Sequence, residues 1–438
     1  MLTRRDLVRV GTLGGLVVAV PGIFAGCSDD SSQPKPPKPP AAGGIRLVSS
    51  DVARQVADPA LVGEGATAVT ALGAGLYGQL VSEPGNLALS PFSAAVALGM
   101  TVNGAVGATR EEMLEVLGAT DTDALDQGLN ALTAYVESLA GPVPQVEDAE
   151  IALASANQLF GQDGVEWQRP FLDALARSFG AGVREVDYEG ALEPARAAIN
   201  GWTAEQTHDR IPEIVPAGAV DTSTRLVLVN ALYFKAPWST PFEPDATSDD
   251  DFHLLDGSTA AVPMMHGSAG YGEGDGWRAA HLPYAGDTLA MTVVLPDEGR
   301  EAELDALVVD GGLPGLLEWQ SGDLQVSLPR WTFLVGEPLK DALSGLGMTT
   351  AFDPEAADFS AMTADEALVV GNVLQQVFIA VDEAGTEAAA ATAVLMDAGS
   401  APVAPPEPLV VDRPFVFVIH DVQHGTPLFL GKVVDPRG

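Results

Sequence analysis

Two hydrophobic rhythms divide the chain near its middle. In the first half, Val69, Leu72, Leu76 and Leu80 recur on one face of a helical period. Ser90 followed by Pro91 places a capping hydroxyl before a first-turn proline, which predicts an apolar helix running to about Val102. Thr109 and Glu112 have capping-box spacing, ahead of a helix carrying Met113, Val116 and Leu117. The second half reads differently. LVLVNALYF at 226–234 is apolar almost throughout, as in a strand covered on both faces, and 291–295 is a second such run. Leu324, Val326 and Leu328 alternate with polar residues, and 415–419 and 428–434 supply further strands. Helices first and strands later predict an α+β domain.

The first 44 residues do not join this pattern. Thr3-Arg4-Arg5-Asp6-Leu7-Val8-Arg9 opens the chain, and an apolar run broken by glycines and Pro21 covers 10–24. The run is too short to span a bilayer and ends in small residues, so 1–27 is expected to be an export signal, with the arginine pair of a twin-arginine type. Phe24-Ala25-Gly26-Cys27 has the form of a lipobox, and Cys27 is the sole cysteine of the chain. It is the expected site of lipidation, with Phe24 standing where leucine is usual. SDDSSQPKPPKPPAAGG at 28–44 cannot build a core. It is expected to be an extended Pro-rich linker with a reach of about 50 Å at ~3.1 Å per residue. The globular domain is expected over 45–438.

Composition removes several classes of function. With 47% apolar residues in 438, a large core can form, and no second linker or internal repeat interrupts it. The net charge of −38 repels nucleic acid and anionic headgroups, so neither is an expected partner. One cysteine allows no intramolecular disulfide and no cysteine-based metal site. The six histidines (His208, His253, His266, His281, His420, His424) are scattered and none falls in an HExxH pattern. There is no GxSxG elbow and no P-loop lysine motif. No enzyme activity, cofactor or metal is therefore expected.

Several segments in order resemble the serpin family, over about 53–436. They are NLALSPFS at 86–93, ANQLF at 156–160, Ile199-Asn200 with Trp202, Thr207, Arg210 and Ile211, and VNALYFK at 229–235 with Trp238 and Phe242. VPMM at 262–265, PFVF at 414–417 and PLFLGKV at 427–433 complete the set. The resemblance implies a serpin fold with a helix-rich N-terminal region, large mixed and antiparallel sheets and an exposed reactive loop, here about 383–413. It implies a serine-protease inhibitor that acts by suicide: the protease cuts the loop, forms an acyl-enzyme, and is trapped when the loop inserts into a sheet.

The segment similar to the serpin hinge is Glu383, Ala384, Gly385, Thr386, Glu387, Ala388, Ala389, Ala390, Ala391 and Thr392. Its alanines favour a helix, yet it follows the strand-like 377–379. Thr386, Ala388, Ala390 and Thr392 are small and share one strand face, as a segment passing between two strands requires. Glu387 is expected on the other face, where it can meet solvent. Gly385 supplies a pivot. Counting seventeen residues with Glu383 as the first puts the reactive bond at Gly399-Ser400, with Ala398 and Ala401 as alternatives. No lysine or arginine occurs between Glu383 and Asp412, so the expected target is elastase-like or subtilisin-like, not trypsin-like.

The resemblance also implies a polar sheet-opening cluster of Ser90, Ser93, Asn200 and Gln375, the last in place of the family's usual histidine, with Trp238 near the insertion point. No glycosaminoglycan is expected, because 120–139, where some relatives bind heparin, holds no Lys or Arg. The expected protein is a monomeric, membrane-anchored lipoprotein on the extracytoplasmic side that forms a covalent complex with a serine protease. The alternative is a non-inhibitory serpin-fold chaperone or surface binding lipoprotein, which the small-residue hinge disfavours.

Overall fold

A computed structural model describes residues 44–144, 146, 149–387 and 406–438. Cys27, the expected export signal, the expected linker up to residue 43, hinge residues 388–392 and the candidate bonds over 398–401 lie outside that set. The chain opens with β1 (Arg46–Val48), α1 (Val62–Leu80), β2 (Leu87–Leu89), α2 (Pro91–Val102), α3 (Gly107–Val116) and α4 (Thr122–Ser138). Next come β3 (Gly141–Pro142), β4 (Glu150–Gln162), α5 (Arg169–Ala174), β5 (Val183–Val186) and α6 (Leu192–Gln206). Then follow β6 (Leu226–Pro237), β7 (Ser248–His253), β8 (Thr259–Gly274), β9 (Trp277–Pro283) and β10 (Leu289–Pro296). The remainder is β11 (Gln320–Pro329), β12 (Trp331–Pro338), β13 (Val370–Val381), β14 (Gly385–Thr386), β15 (Leu409–Val410), β16 (Phe415–Asp421) and β17 (Pro427–Val433). Short helices at 301–316 and 340–345 connect some of these strands.

Local signals account for much of this. Ser90 caps α2 by accepting the Ser93 N–H at 3.3 Å, with Pro91 in the first turn. The capping box expected at Thr109 and Glu112 does not form. α3 starts at Gly107, two residues earlier, and both side chains serve other segments. The Thr109 hydroxyl accepts the Asp358 N–H, and the Glu112 carboxylate accepts those of Thr349 and Thr350 at 2.7 and 2.8 Å. Tertiary donors thus replaced the local ones.

The α+β architecture expected from the sequence holds. One sheet runs β1-β5-β4-β6-β14-β13-β12, with β3 paired to β4. The other runs β15-β11-β8-β9-β10-β16-β17-β2, with β7 paired to β8. Most pairings are antiparallel, but β6 and β13 pair in parallel. β6 is buried from end to end except Lys235, because both its faces are covered. Leu226, Leu228, Leu232 and Phe234 enter the larger core between the sheets. Val227, Val229 and Ala231 enter a second core, where α6 adds Ala195, Ile199 and Trp202. Period-two alternation on a fully apolar strand therefore separates two cores.

Candidate functional site

The centre of the first sheet is split at one end. β6 and β13 pair directly from Val370↔Leu226 to Val377↔Leu232. Beyond that the strands part and the segment 385–386 sits between them as β14, antiparallel to both. Gly385 pairs with Pro237, and Thr386 pairs with Ala236 on one side and Val381 on the other. The Glu387 N–H adds a bond to the Ala380 carbonyl at 2.9 Å. The turn that brings the chain back is built by Asp382, whose carboxylate accepts the N–H groups of Ala384 and Gly385 at 2.8 and 3.2 Å. Gly385 has a φ of 156°, which glycine tolerates better than any residue with a side chain.

Aromatic residues hold this turn from beneath. The Trp238 indole N–H donates to the Asp382 carbonyl, and the Trp238 backbone N–H to that of Ala384, both at 2.9 Å. Trp238 stacks on Tyr284 with ring centroids 4.6 Å apart. The Tyr284 hydroxyl meets the Thr386 hydroxyl at 2.6 Å, and both residues are buried. Burial pushes the Tyr284 phenol far up, a shift that the Thr386 hydrogen bond partly opposes.

Two carboxylates flank the turn. Glu383 is buried, and burial opposes its ionisation. The Thr247 hydroxyl at 2.7 Å and the Arg330 guanidinium outweigh that effect and hold its pKa below the usual carboxylate range. Glu387 departs from the expectation of a solvent-facing side chain. Its side chain is only 12% exposed, because Arg210 reaches over from the turn after α6 and pairs with it.

Lower in the same sheet lies a buried polar cluster. The Gln375 amide donates to the Ser90 carbonyl at 2.9 Å and to Asn230 Oδ1 at 2.6 Å, and accepts the Ser90 N–H at 3.0 Å. Asn230 in turn donates to the Leu374 carbonyl, and the Ser93 hydroxyl donates to Asn157 Oδ1 at 2.5 Å. The expectation that Asn200 belongs here does not hold. Its amide lies on α6 and is satisfied by both backbone groups of Val215, at 2.8 and 3.0 Å, where it pins the connection that follows the helix. Trp238 is likewise not in this cluster but at the turn above it.

The structure thus brings Ser90, Ser93 and Gln375 together, and separately Trp238, Glu383, Gly385, Thr386 and Glu387. Asn230, Asn157, Tyr284, Arg330 and Arg210 were missed. Asn157 and Arg210 stood in the resembling segments without an assigned role, and Asn230 carried a physical signal as the lone polar residue in the run at 226–234, since a buried amide in a central strand must find partners.

The family model described as Serpin (serine protease inhibitor) matches residues 67–436. An uncharacterized serpin-like protein of Thermococcus kodakarensis is 35% identical, over 96% of this chain and 98% of that one. The leukocyte elastase inhibitor of Bos taurus is 35% identical over 80% of this chain and 93% of its own. Among solved structures, the thermophilic serpin tengpin in its native state superposes with a TM-score of 0.76 at 24% identity, covering 90% of this chain and all of that one.

Proposed function

The chain belongs to the serpin family, and from that premise we propose that it inhibits a serine protease by sacrificing its own loop. The observation that carries this reading is β14. Two loop residues already lie between β6 and β13, in a register that the following residues can continue. From Ala236, β6 offers ten further positions down to Leu226, so the same register would take the loop from Thr386 as far as Met396. That is about 34 Å of added strand at ~3.4 Å per residue. The bond Gly399-Ser400 then falls just past the strand's end, whereas a cut at Met396 would leave nothing to link strand and protease.

The chemistry belongs to the protease. Its serine oxygen attacks the Gly399 carbonyl carbon, the Gly399–Ser400 C–N bond breaks, and the amine of Ser400 leaves with a proton from the protease's own base. The Gly399 acyl group remains as an ester on the protease. Insertion of the hinge outruns attack by water and carries the ester-linked protease away from the loop's starting position. In that register the hinge residues 386, 388, 390 and 392 of the core-facing row are Thr, Ala, Ala and Thr, so nothing bulky opposes the start of passage, and larger side chains, Val394 and Met396, follow only at the far end. The loop's lack of basic residues matches an elastase-like or subtilisin-like pocket, and the bovine relative is named as an inhibitor of leukocyte elastase. Lipidated Cys27 and the linker after it would hold a monomeric inhibitor at an extracytoplasmic membrane surface.

The test is incubation with elastase, subtilisin and trypsin, followed by a denaturing gel and mass spectrometry of the released peptide. A band heavier by one protease for elastase or subtilisin, and a C-terminal peptide starting at Ser400, are expected. Cleavage by every protease without any such band would overturn the inhibitory reading in favour of a scaffold or carrier.

A further inference from the structure

We propose that Arg210 is a positioning residue for loop insertion: its guanidinium holds Glu387, and through Glu387 the first rungs of β14, in the register of the inserted strand. The inference rests on the inhibitory reading above and adds to it a residue that acts before any protease arrives.

Arg210 is placed deliberately. It follows α6, after His208 and Asp209, two successive non-glycine residues with φ of 51° and 62°. Such a pair is uncommon and costs conformational energy, so the surrounding structure must hold it. The Asp209 N–H donates to Ala204 and the Arg210 N–H to Thr207, which ties the turn back onto the end of α6. The His208 ring meets the Tyr233 ring edge-on at 5.0 Å. From this turn the guanidinium lies over the Phe378 ring at 5.4 Å and pairs with one Glu387 oxygen through both Nε and Nη2. Planar stacking combined with two donors converging on one oxygen is a geometry available to arginine and not to lysine.

The carboxylate needs this partner. Among the described residues the second Glu387 oxygen is buried without a hydrogen-bond partner, and the side chain has left water almost completely. Removing the cation from a buried, half-satisfied carboxylate would send it back to solvent. Because Thr386 is the next residue, its two-sided pairing and its Tyr284 contact would go with it.

The register shows which process the pair assists. Thr386 faces the core side, with Tyr284. Glu387 therefore faces the α6 side, above the row of β6 that carries Tyr233 and Lys235. A strand extending further keeps Glu387 on that face, so the ion pair is compatible with the inserted state. Glu387, the last residue described before the loop, has a backbone φ of 50°, outside the extended region a strand needs. Rotation of that residue to the extended region relieves the unfavourable conformation and aims Ala388 down the gap. Arg210 thus maintains a strand nucleus in final register that is one backbone rotation from growing.

The experiment compares wild type, Arg210→Ala, Arg210→Lys and Glu387→Gln. Amide hydrogen exchange of a peptide covering 381–387 is read in the free protein. The stoichiometry of inhibition is read with whichever of elastase or subtilisin gives a stable complex. Arg210→Ala is expected to speed exchange at Thr386 and Glu387 by about tenfold or more. It should also raise the stoichiometry several-fold, with the thermal midpoint nearly unchanged. Glu387→Gln should move both readouts the same way, which keeps the test alive if Arg210→Ala folds poorly. Arg210→Lys should recover part of each. Unchanged exchange and stoichiometry in Arg210→Ala and Glu387→Gln would overturn the proposal. So would faster complex formation, since the pair would then be a brake. A wild type that forms no complex with any protease overturns the inhibitory reading instead, and the exchange data still decide what Arg210 holds.

Discussion

At the scale of single residues, the site depends on matching each buried donor to an acceptor. Gln375 uses both amide hydrogens and its oxygen on Ser90 and Asn230. Gln375→Leu preserves bulk but leaves the Ser90 N–H and Asn230 Oδ1 without partners, while the Ser90 carbonyl keeps only the Ala94 N–H. An orphaned buried group costs ~1–3 kcal/mol. A loss of about 3 kcal/mol in unfolding free energy by urea titration is expected, and Gln375→His, with two ring nitrogens, should restore part of it. Thr386 poses the opposite problem. Its side chain is 1% exposed and bonded to Tyr284, so Thr386→Arg has no place in β14. The variant should fold, be cut by the target and form no stable complex; undiminished complex would remove insertion from the mechanism. The sequence pointed to Ser90, Ser93 and Gln375, with Asn200 as the asparagine, where the structure has Asn230. Both are asparagines beside apolar residues. Only the pairing of β6 with β13, strands that lie far apart in sequence, shows which of them faces Gln375.

At the scale of elements, strands align chemistry that the sequence scatters. β9, β10 and β16 are neighbours, and they bring His281, Thr292 and His420 into one buried chain. His281 Nδ1 lies 3.0 Å from the Thr292 hydroxyl, which lies 3.0 Å from His420 Nε2. His420 Nδ1 faces the Asp421 carbonyl, so it carries the proton; Thr292 then donates to Nε2 and accepts from His281. Among the described residues the other His281 nitrogen has no partner, and its ring stacks on Trp319 at 4.3 Å. Burial, reinforced by His420, pushes the His281 pKa down to about 3. Burial also lowers that of His420, against the pull of Asp421. Both rings stay neutral in the fold but take up protons once unfolded, near pH 6.5. Their stabilisation is therefore complete above that pH and declines as pH falls, each contributing a slope of ~1.4 kcal/mol per unit. Asp126 acts in reverse: burial raises its pKa to about 7, so acid favours the fold there. The clean test is a difference. Between pH 7 and pH 5, His281→Gln should lose about 2 kcal/mol less unfolding free energy than wild type; equal losses would show that His281 is protonated in the fold. None of this was legible in six scattered histidines. By contrast, α2, β6, β10, β11, β16 and β17 were, because each has a hydrophobic period of its own. β14 was not, because Gly385 and Thr386 have no period of their own and pair only where two distant strands part around them.

At the scale of the whole molecule, the question is what the sheet gains when the loop goes in. If Cys27 carries acyl chains, Cys27→Ser should move the protein from the membrane to the soluble fraction of its host, since two chains are what give stable anchoring; retention in the membrane would remove the lipobox reading. The deeper prediction concerns stability after cleavage. In the intact protein β6 and β13 share one parallel interface along their lower parts. Inserting 387–396 exchanges that interface for two antiparallel ones, so the sheet gains one complete ladder. The new strand runs opposite to both neighbours, which is the more favourable pairing per residue. About ten added hydrogen bonds at ~0.5–1.5 kcal/mol each give roughly 5–15 kcal/mol. On the core-facing row the small Ala388, Ala390 and Thr392 enter without overfilling, and Val394 and Met396 add apolar contact at the far end. Cleavage of a chain normally costs stability, because it frees two ends. In the proposed mechanism the cut instead removes the constraint that keeps the strand out. Limited digestion at the loop by a protease that forms no complex should therefore raise the thermal midpoint by ten degrees or more, at roughly 2–4 °C per kcal/mol for a domain of moderate size and less for one this large. Thr386→Arg, cut at the same bond, should show little or none of that rise, because its hinge cannot enter. A cleaved wild type that melts at or below the intact protein would mean that the gap above Val377 closes around two residues and no more.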